Sequence, residues 1–176
     1  MSCSKSSMRG RMIVWAVAMI GGAVAGIWFD LRYFRPLFEN IRFHIVSFLA
    51  GAVLLRLVLN AARNSGRYLS AHGREGDIPR FDTNKLVTDG LYGCMRHPMH
   101  LGLLFWPLSL ALLIGSPTFI LIIAPLEMVV MLILIKTVEE PGAIKKFGDA
   151  YKDYMKRVPM FSFRRECLKK LFGKGD

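Results

Sequence analysis

Four stretches of the chain are long, apolar and almost free of charge. Residues 12–29 carry no charge at all, 43–62 carry only His44 and Arg56, 99–115 carry His100 near the start, and 118–135 carry Pro125 and Glu127. At 1.5 Å per residue each makes a helix of roughly 26–30 Å, about one hydrocarbon thickness. A soluble core helix is rarely uncharged for so long. The pattern predicts an all-α, polytopic membrane bundle of about four transmembrane helices. Between the last two stretches stands only Gly115-Ser116-Pro117, so these two spans must form a tight antiparallel hairpin.

After the fourth stretch the period changes its character. Ile144, Phe147, Tyr151, Tyr154, Met155 and Val158 recur at helical spacing. Lys145, Lys146, Asp149, Lys152, Asp153 and Lys156 fall on the other face. This predicts an amphipathic helix from Ala143 that lies on the membrane surface or docks on the bundle. A second basic and apolar run, Phe161 to Phe172, does likewise or remains a solvated tail. The first stretch follows Lys5, Arg9 and Arg11 as a signal peptide would. It is long for that role and lacks a small-x-small cleavage site, so it reads as a retained span.

Composition agrees with this segregation. Of 176 residues 53 % are hydrophobic, yet 24 Lys and Arg face 13 Asp and Glu, giving a net charge of +11. The mean hydropathy is +0.35 and the pI near 10. Such an apolar share excludes intrinsic disorder. The cations sit beside the spans. Three precede the first, three lie in 30–42, six in 63–97 and eleven from Lys136 onward. An arrangement with both termini in the cytoplasm puts twenty cations inside and three outside. The charge then reports topology and contact with anionic lipid, and no nucleic-acid recognition motif accompanies it. Cys3, Cys94 and Cys167 are too few and too scattered for a disulfide framework or a zinc site. They fit a reducing or redox-indifferent setting, with Cys94 in a packing role.

Candidate chemistry collects at the mouths of the spans, where polar groups are costly to bury. Thr88 to Gly102 is the densest run. Pro98 suits the first turn of a helix, so Arg96 and His97 stand beside unpaired N–H groups that attract anions. Glu139-Glu140-Pro141-Gly142 follows the fourth span at the same face. The hairpin brings the two clusters together, and a cationic corner opposite an acidic one suits a zwitterionic ligand. Taken singly, the Arg-His pair reads equally as an interfacial anchor and the Glu pair as a solvated helix end. His97 and His100 lack a third partner for a metal. Glu127, deep in the fourth span, either pairs with Arg56 or lines a cavity. No nucleophile elbow and no dinucleotide fingerprint is present.

The ordered series Leu86-Val87-Thr88-Asp89-Gly90-Leu91-Tyr92, Arg96-His97-Pro98-Met99-His100-Leu101-Gly102, Glu139-Glu140, Phe147-Gly148-x-x-Tyr151-x-x-Tyr154 and Arg157-Val158-Pro159 resembles a family of membrane methyltransferases. It comprises the isoprenylcysteine carboxyl methyltransferases and the phospholipid N-methyltransferases. The resemblance covers about residues 60–163. It implies S-adenosyl-L-methionine as methyl donor at the cytoplasmic face. It further implies that Lys85, Leu86, Val87 and Tyr92 wrap the donor, that His97, Pro98, Met99 and His100 contact it, and that Glu139 closes the pocket. Arg96, Glu139 and Glu140 are the implied catalytic groups, Arg96 and Lys136 the substrate-binding ones, and no metal is implied.

The acceptor implied is a membrane lipid or lipidated small molecule, first the carboxylate of a prenylated cysteine and otherwise a phospholipid amine. Two positions depart from the family pattern. His100 stands where tyrosine is usual, and Ile135, with Lys136 adjacent, stands where prenylcysteine enzymes tend to carry arginine. A nicotinamide-dependent membrane reductase and a non-enzymatic membrane protein are the competing classes. The expected organisation is one domain, with a two-span hairpin over 1–62, a catalytic part over 63–163 and a basic tail over 164–176.

Overall fold

A computed structural model describes residues 5–78 and 82–173, so Cys3, Arg80 and Lys174 lie outside the described residues. Every regular element among the described residues is helical. The helices are α1 Lys5–Tyr33, α2 Arg35–Phe38, α3 Ile41–His72, α4 Gly90–Cys94, α5 Pro98–Leu104, α6 Trp106–Ile114, α7 Ala124–Leu134, α8 Glu140–Phe147, α9 Asp149–Arg157 and α10 Arg165–Phe172. Among the described residues three helices are long and apolar enough to cross a membrane: Ile13–Tyr33, Ile41–His72 and Phe119–Phe147. The third expected span is the shorter apolar helix Pro98–Ile114. It is broken between α5 and α6 because Pro107 offers no N–H to the carbonyl four residues back.

The helices overrun the expected boundaries. α3 continues ten residues past Ala62 into the expected loop, and the fourth helix runs unbroken through Glu139-Glu140 to Phe147. The glutamates are therefore inside a helix and not after its end. Two prolines in that helix are accommodated by local widening. π-helical turns occupy Phe119–Ile123 and Ile135–Glu139, each closing just before Pro125 or Pro141. A proline ring collides with the carbonyl four residues back, and a wider turn relieves the collision. Such turns are frequent at functional sites, and the second one carries Glu139. The single amphipathic helix expected from Ala143 is two helices. Gly148 separates α8 from α9 with φ 60° and ψ −136°, a conformation that side chains disfavour.

The chain divides into two compact units, each discontinuous in sequence. The first comprises Met1–Leu55 and Phe105–Val130. Its core is Ala111, Phe119 and Ala124, with Ala23, Leu108, Ile120 and Ile123 packed around them. Here the short turn is as expected: Gly115 ends α6 in the left-handed conformation, and a Cβ there would collide with the His44 ring. Asp30 belongs to α1 and not to a loop. It is wholly buried, and its carboxylate accepts from the Ser116 hydroxyl and, at 2.8 Å, from the Thr118 N–H. It thus supplies an acceptor to an otherwise unpaired amide at a helix start. The Ser47 hydroxyl donates to the Leu112 carbonyl at 2.6 Å. Glu127 is buried beside Gly22, and its Oε2 meets no hydrogen-bond partner among the described residues.

The second unit comprises Arg56–Leu104 and Met131–Asp176. In it α3 and α5 pack closely: a Cβ on Gly102 would lie 2.7 Å from the Ala61 Cβ. α10 is tied down at both ends. Asn64 donates from Nδ2 to the carbonyls of Leu171 and Gly173, both at 2.9 Å, which satisfies acceptors at the helix end. Cys167 forms a disulfide with Cys94 of α4, with Cα atoms 5.7 Å apart. This corrects the expectation of unpaired, redox-indifferent cysteines for these two. A separation of 73 residues leaves no trace in local spacing, and only the docking of α10 reveals the pair. Replacing Cys167 with serine should cost about 2 kcal/mol, the lower part of the usual range for a lost disulfide. The unfolded reference chain is already restricted by its membrane helices. A melting curve with and without reductant checks this, and the Cys167→Ser protein should show no response to reductant.

Candidate functional site

The site is built in the second unit, on the segment joining α4 to α5. Arg96 and His97 lie in the short connection between the two helices. Their N–H groups donate to the carbonyls of Pro159 at 2.9 Å and Met160 at 3.2 Å. The chain leaving α9 is thereby laced to the chain entering α5. Tyr154, wholly buried on α9, donates its hydroxyl to the Tyr92 carbonyl at 2.5 Å. Burial raises the pKa of both phenols, Tyr92 and Tyr154, so both remain neutral.

Arg96 is the centre of this frame. Its Nη2 and Nε donate to Glu140 Oε1 at 2.6 and 3.1 Å. Its Nη1 donates to the carbonyls of Val158 at 2.6 Å and Met155 at 3.3 Å. The guanidinium thus joins three segments: the α4–α5 connection, α8 and the end of α9. Both side chains of the ion pair are about 10 % exposed, so the pair is screened little by solvent.

His97 lies beside this pair, with Nε2 3.5 Å from Glu140 Oε1. Nε2 is buried, and among the described residues no donor or acceptor meets it at good hydrogen-bond geometry. The imidazole is held neutral, its pKa lowered from 6.5 to about 4 by burial and then by His100, against the opposing pull of Glu140. The unfolded chain takes up this proton near 6.5 and the folded protein only near 4. Stability is therefore complete above about pH 6.5 and is lost as pH falls toward 4. Between about pH 6.5 and pH 5 the loss should reach about 2 kcal/mol. Chemical denaturation at the two pH values measures it, and a His97→Gln protein should show a shallower dependence.

In front of these groups opens a cavity of about 180 Å³. Lys85, Leu86, Val87, Tyr92, Arg96, His97, Pro98, Met99, His100 and Glu139 all line it. These are the ten that the family resemblance implies for the site and that the cavity brings together. Glu140 does not line the cavity; it lies behind the wall, engaged by Arg96. Lys136 is exposed and also absent from the lining. Leu69, Thr83, Ala143, Phe147, Tyr151 and Tyr154 complete the wall and were not anticipated as site residues. The signal for the last three, Phe147, Tyr151 and Tyr154, was present: they recur along the apolar face of the amphipathic stretch, which reads as a docking surface. Among the described residues no group of three or more His, Cys, Asp or Glu could hold a metal.

The lining divides into parts that suit one kind of ligand. Met99, Phe147 and Tyr151 offer flat and polarizable surfaces, Lys85 an ammonium, Glu139 a carboxylate and His97 an unpartnered ring nitrogen. This set fits an amphiphilic molecule with an aromatic part and charges of both signs.

The family profile for phospholipid methyltransferases matches residues 45–150. Among curated proteins the chain is similar to protein-S-isoprenylcysteine O-methyltransferase of Schizosaccharomyces pombe, 36 % identical over 80 residues, covering 42 % of this chain and 31 % of that protein. The Mus musculus protein of the same name is 28 % identical over 118 residues, covering 65 % and 41 %. Protein-S-isoprenylcysteine O-methyltransferase B of Arabidopsis thaliana is 29 % identical over 119 residues, covering 66 % and 56 %. The chain thus spans from about a third to just over half the length of these relatives. No solved structure matches it significantly.

Proposed function

Since the chain belongs to the phospholipid methyltransferase family, we propose that it is an integral membrane enzyme that methylates a lipophilic acceptor with S-adenosyl-L-methionine. The acceptor we put first is the carboxylate of a prenylated cysteine; the curated relatives it resembles are named for O-methylation of isoprenylcysteine. We place both termini in the cytoplasm on the distribution of Lys and Arg. The single observation that carries the reading is the convergence of ten motif residues on one cavity.

The residues present fit the methyl donor. His97 Nε2 is a buried atom awaiting a partner, Glu139 complements an ammonium or sulfonium, Lys85 complements a carboxylate, and Phe147 and Tyr151 provide faces for an adenine. At about 180 Å³ the cavity is below the usual 300–1,000 Å³ of small-molecule sites. It encloses part of such a ligand and leaves the rest at the mouth. When bound, S-adenosylmethionine supplies a methyl group activated by a sulfonium.

The protein's contribution is chiefly positioning and exclusion of water. Glu140 and Arg96, each committed to the other, hold the wall on which His97 and Glu139 are presented. We therefore give Arg96 and Glu140 a positioning part and Glu139 the direct contact. Lys136, off the cavity wall, is left to the membrane surface. A carboxylate acceptor is already a nucleophile at neutral pH and needs no base.

One observation favours a second acceptor. The Arg96 guanidinium is engaged by Glu140 and two carbonyls, and Ile135 is wholly buried where an arginine would hold an acceptor carboxylate. A phospholipid amine needs no such cation. It needs a group to take its proton, and the Glu139 carboxylate on the cavity wall meets that need. Methyl transfer from labelled donor to a farnesylcysteine derivative and to phosphatidylethanolamine, in parallel nanodiscs, tests both. Product in the first supports the leading reading, product only in the second selects the alternative, and product in neither from a folded sample rejects both.

A further inference from the structure

The outer face of α10 is built for a charged surface. Cys167 and Leu171, one turn apart, are buried, while Arg165, Lys169 and Lys170 are exposed on the other side of the helix. Arg164 and Phe163 precede them, also exposed, Phe163 at 69 %. Glu166 is the one acid on this helix. The inner face is fully used. The disulfide to Cys94 and the two bonds from Asn64 to the Leu171 and Gly173 carbonyls fix the rotation of the helix, so its basic side cannot turn inward.

The position of Asn64 sets the height of that basic side. Asn64 belongs to α3, a helix long and apolar enough to cross a membrane, and lies between the exposed Arg63 and Arg67. These two arginines are four residues apart and share a helix face with Arg56, seven residues before the first. Arginines at the end of an apolar helix extend their head groups to the interface. α10 is pinned to α3 at the level of Arg63 and Arg67, in the last three turns of that helix.

We infer that α10, with Phe163 and the Arg63–Arg67 end of α3, forms a docking ledge for the head groups of anionic phospholipids in the surrounding bilayer. The charge is complementary, each cation near such a surface adds to the attraction, and Phe163 supplies an apolar group at the interfacial depth. An acidic soluble partner would leave the exposed Phe163 without an apolar medium. The ledge is independent of the methylation reaction, and so is its test.

The test uses the full chain in nanodiscs. Cys3→Ser and Phe163→Cys allow a bimane label at position 163, since Cys94 and Cys167 are paired. Quenching is compared for phosphatidylglycerol and phosphatidylcholine carrying bromine at the same shallow acyl position and equal mole fraction. The expected result is about threefold or greater preference for the brominated phosphatidylglycerol. The preference should vanish in roughly 0.5 M salt, where the screening length falls to a few ångströms. It should also vanish in the Arg164→Gln, Arg165→Gln, Lys169→Gln, Lys170→Gln protein, whose melting curve checks that it is folded. Equal quenching by both lipids would overturn the proposal, as mere contact with bulk lipid. Absence of quenching by either would overturn it too, since the face would then be turned to water or to another protein.

Discussion

Replacing Arg96 with alanine should lower the stability of the protein by about 3–5 kcal/mol, the cost of breaking a buried ion pair by removing one partner. The magnitude follows from what is left behind. Glu140 would remain buried with its carboxylate uncompensated, and the Val158 and Met155 carbonyls would lose their donor. The segment directly after α9 would keep the two backbone bonds from residues 96 and 97 but lose the side-chain bond to the Val158 carbonyl. Lysine should not rescue the loss. Its ammonium is a point charge, and the site needs a planar fork that reaches a carboxylate on one side and two carbonyls on another. Denaturation in detergent, followed by loss of donor-analogue binding, measures the effect. A change under about 1 kcal/mol would place Arg96 outside the framework and return it to the direct role first expected of it.

Substituting Ala143 with tryptophan should weaken binding of S-adenosylhomocysteine at least about 100-fold, with little loss of stability. Ala143 is a half-buried residue of α8 whose side chain lines the cavity. A bulky ring there competes directly with a ligand for a volume of about 180 Å³. Overpacking a closed core costs about 1–3 kcal/mol. Here the ring enters space that is empty, so the cost should fall below that range. Ala150, exposed on α9, provides the control: its tryptophan variant should bind normally. Equilibrium binding of labelled ligand to both proteins distinguishes a blocked cavity from a general disturbance of the helices. Normal binding by the Ala143 variant would show that the ligand sits elsewhere.

What the sequence disclosed follows from which interactions are local. The apolar stretches made the helices legible because lipid-facing residues need no partner, and the short Gly115-Ser116-Pro117 turn made the hairpin legible. Ten cavity residues were legible, nine of them between Lys85 and His100 and the tenth Glu139: the charges of Arg96, His97 and Glu139 marked the two corners, and the resemblance to the methyltransferase family supplied the rest. The helix ends were not. α3 and the fourth helix continue beyond the apolar residues that announce them, since polar residues extend a helix readily once it is nucleated. Pro141 resembled a helix terminator, and a π-helical turn over Ile135–Glu139 absorbed it.

Long-range partners were the least visible. Arg96 and Glu140 were paired in outline, as opposite corners. Nothing in their spacing told that Glu140 would satisfy the guanidinium while Glu139 faced the cavity. One residue of helix separates them by about 100°, and the widened turn decides which of the two points inward. Phe147, Tyr151 and Tyr154 were read correctly as an apolar face and incompletely as to what it covers. The Cys94–Cys167 pair and the burial of Asp30 depend on tertiary contacts alone.

The central claim is that the cavity bounded by Tyr92, His97, Glu139 and Tyr151 holds the methyl donor. Calorimetric titration of S-adenosylhomocysteine into the purified protein in lipid nanodiscs tests it most directly. The account predicts saturable binding at one site per chain, weakened when His97 is replaced by alanine. Absence of saturable binding in a sample with an intact melting transition would contradict it.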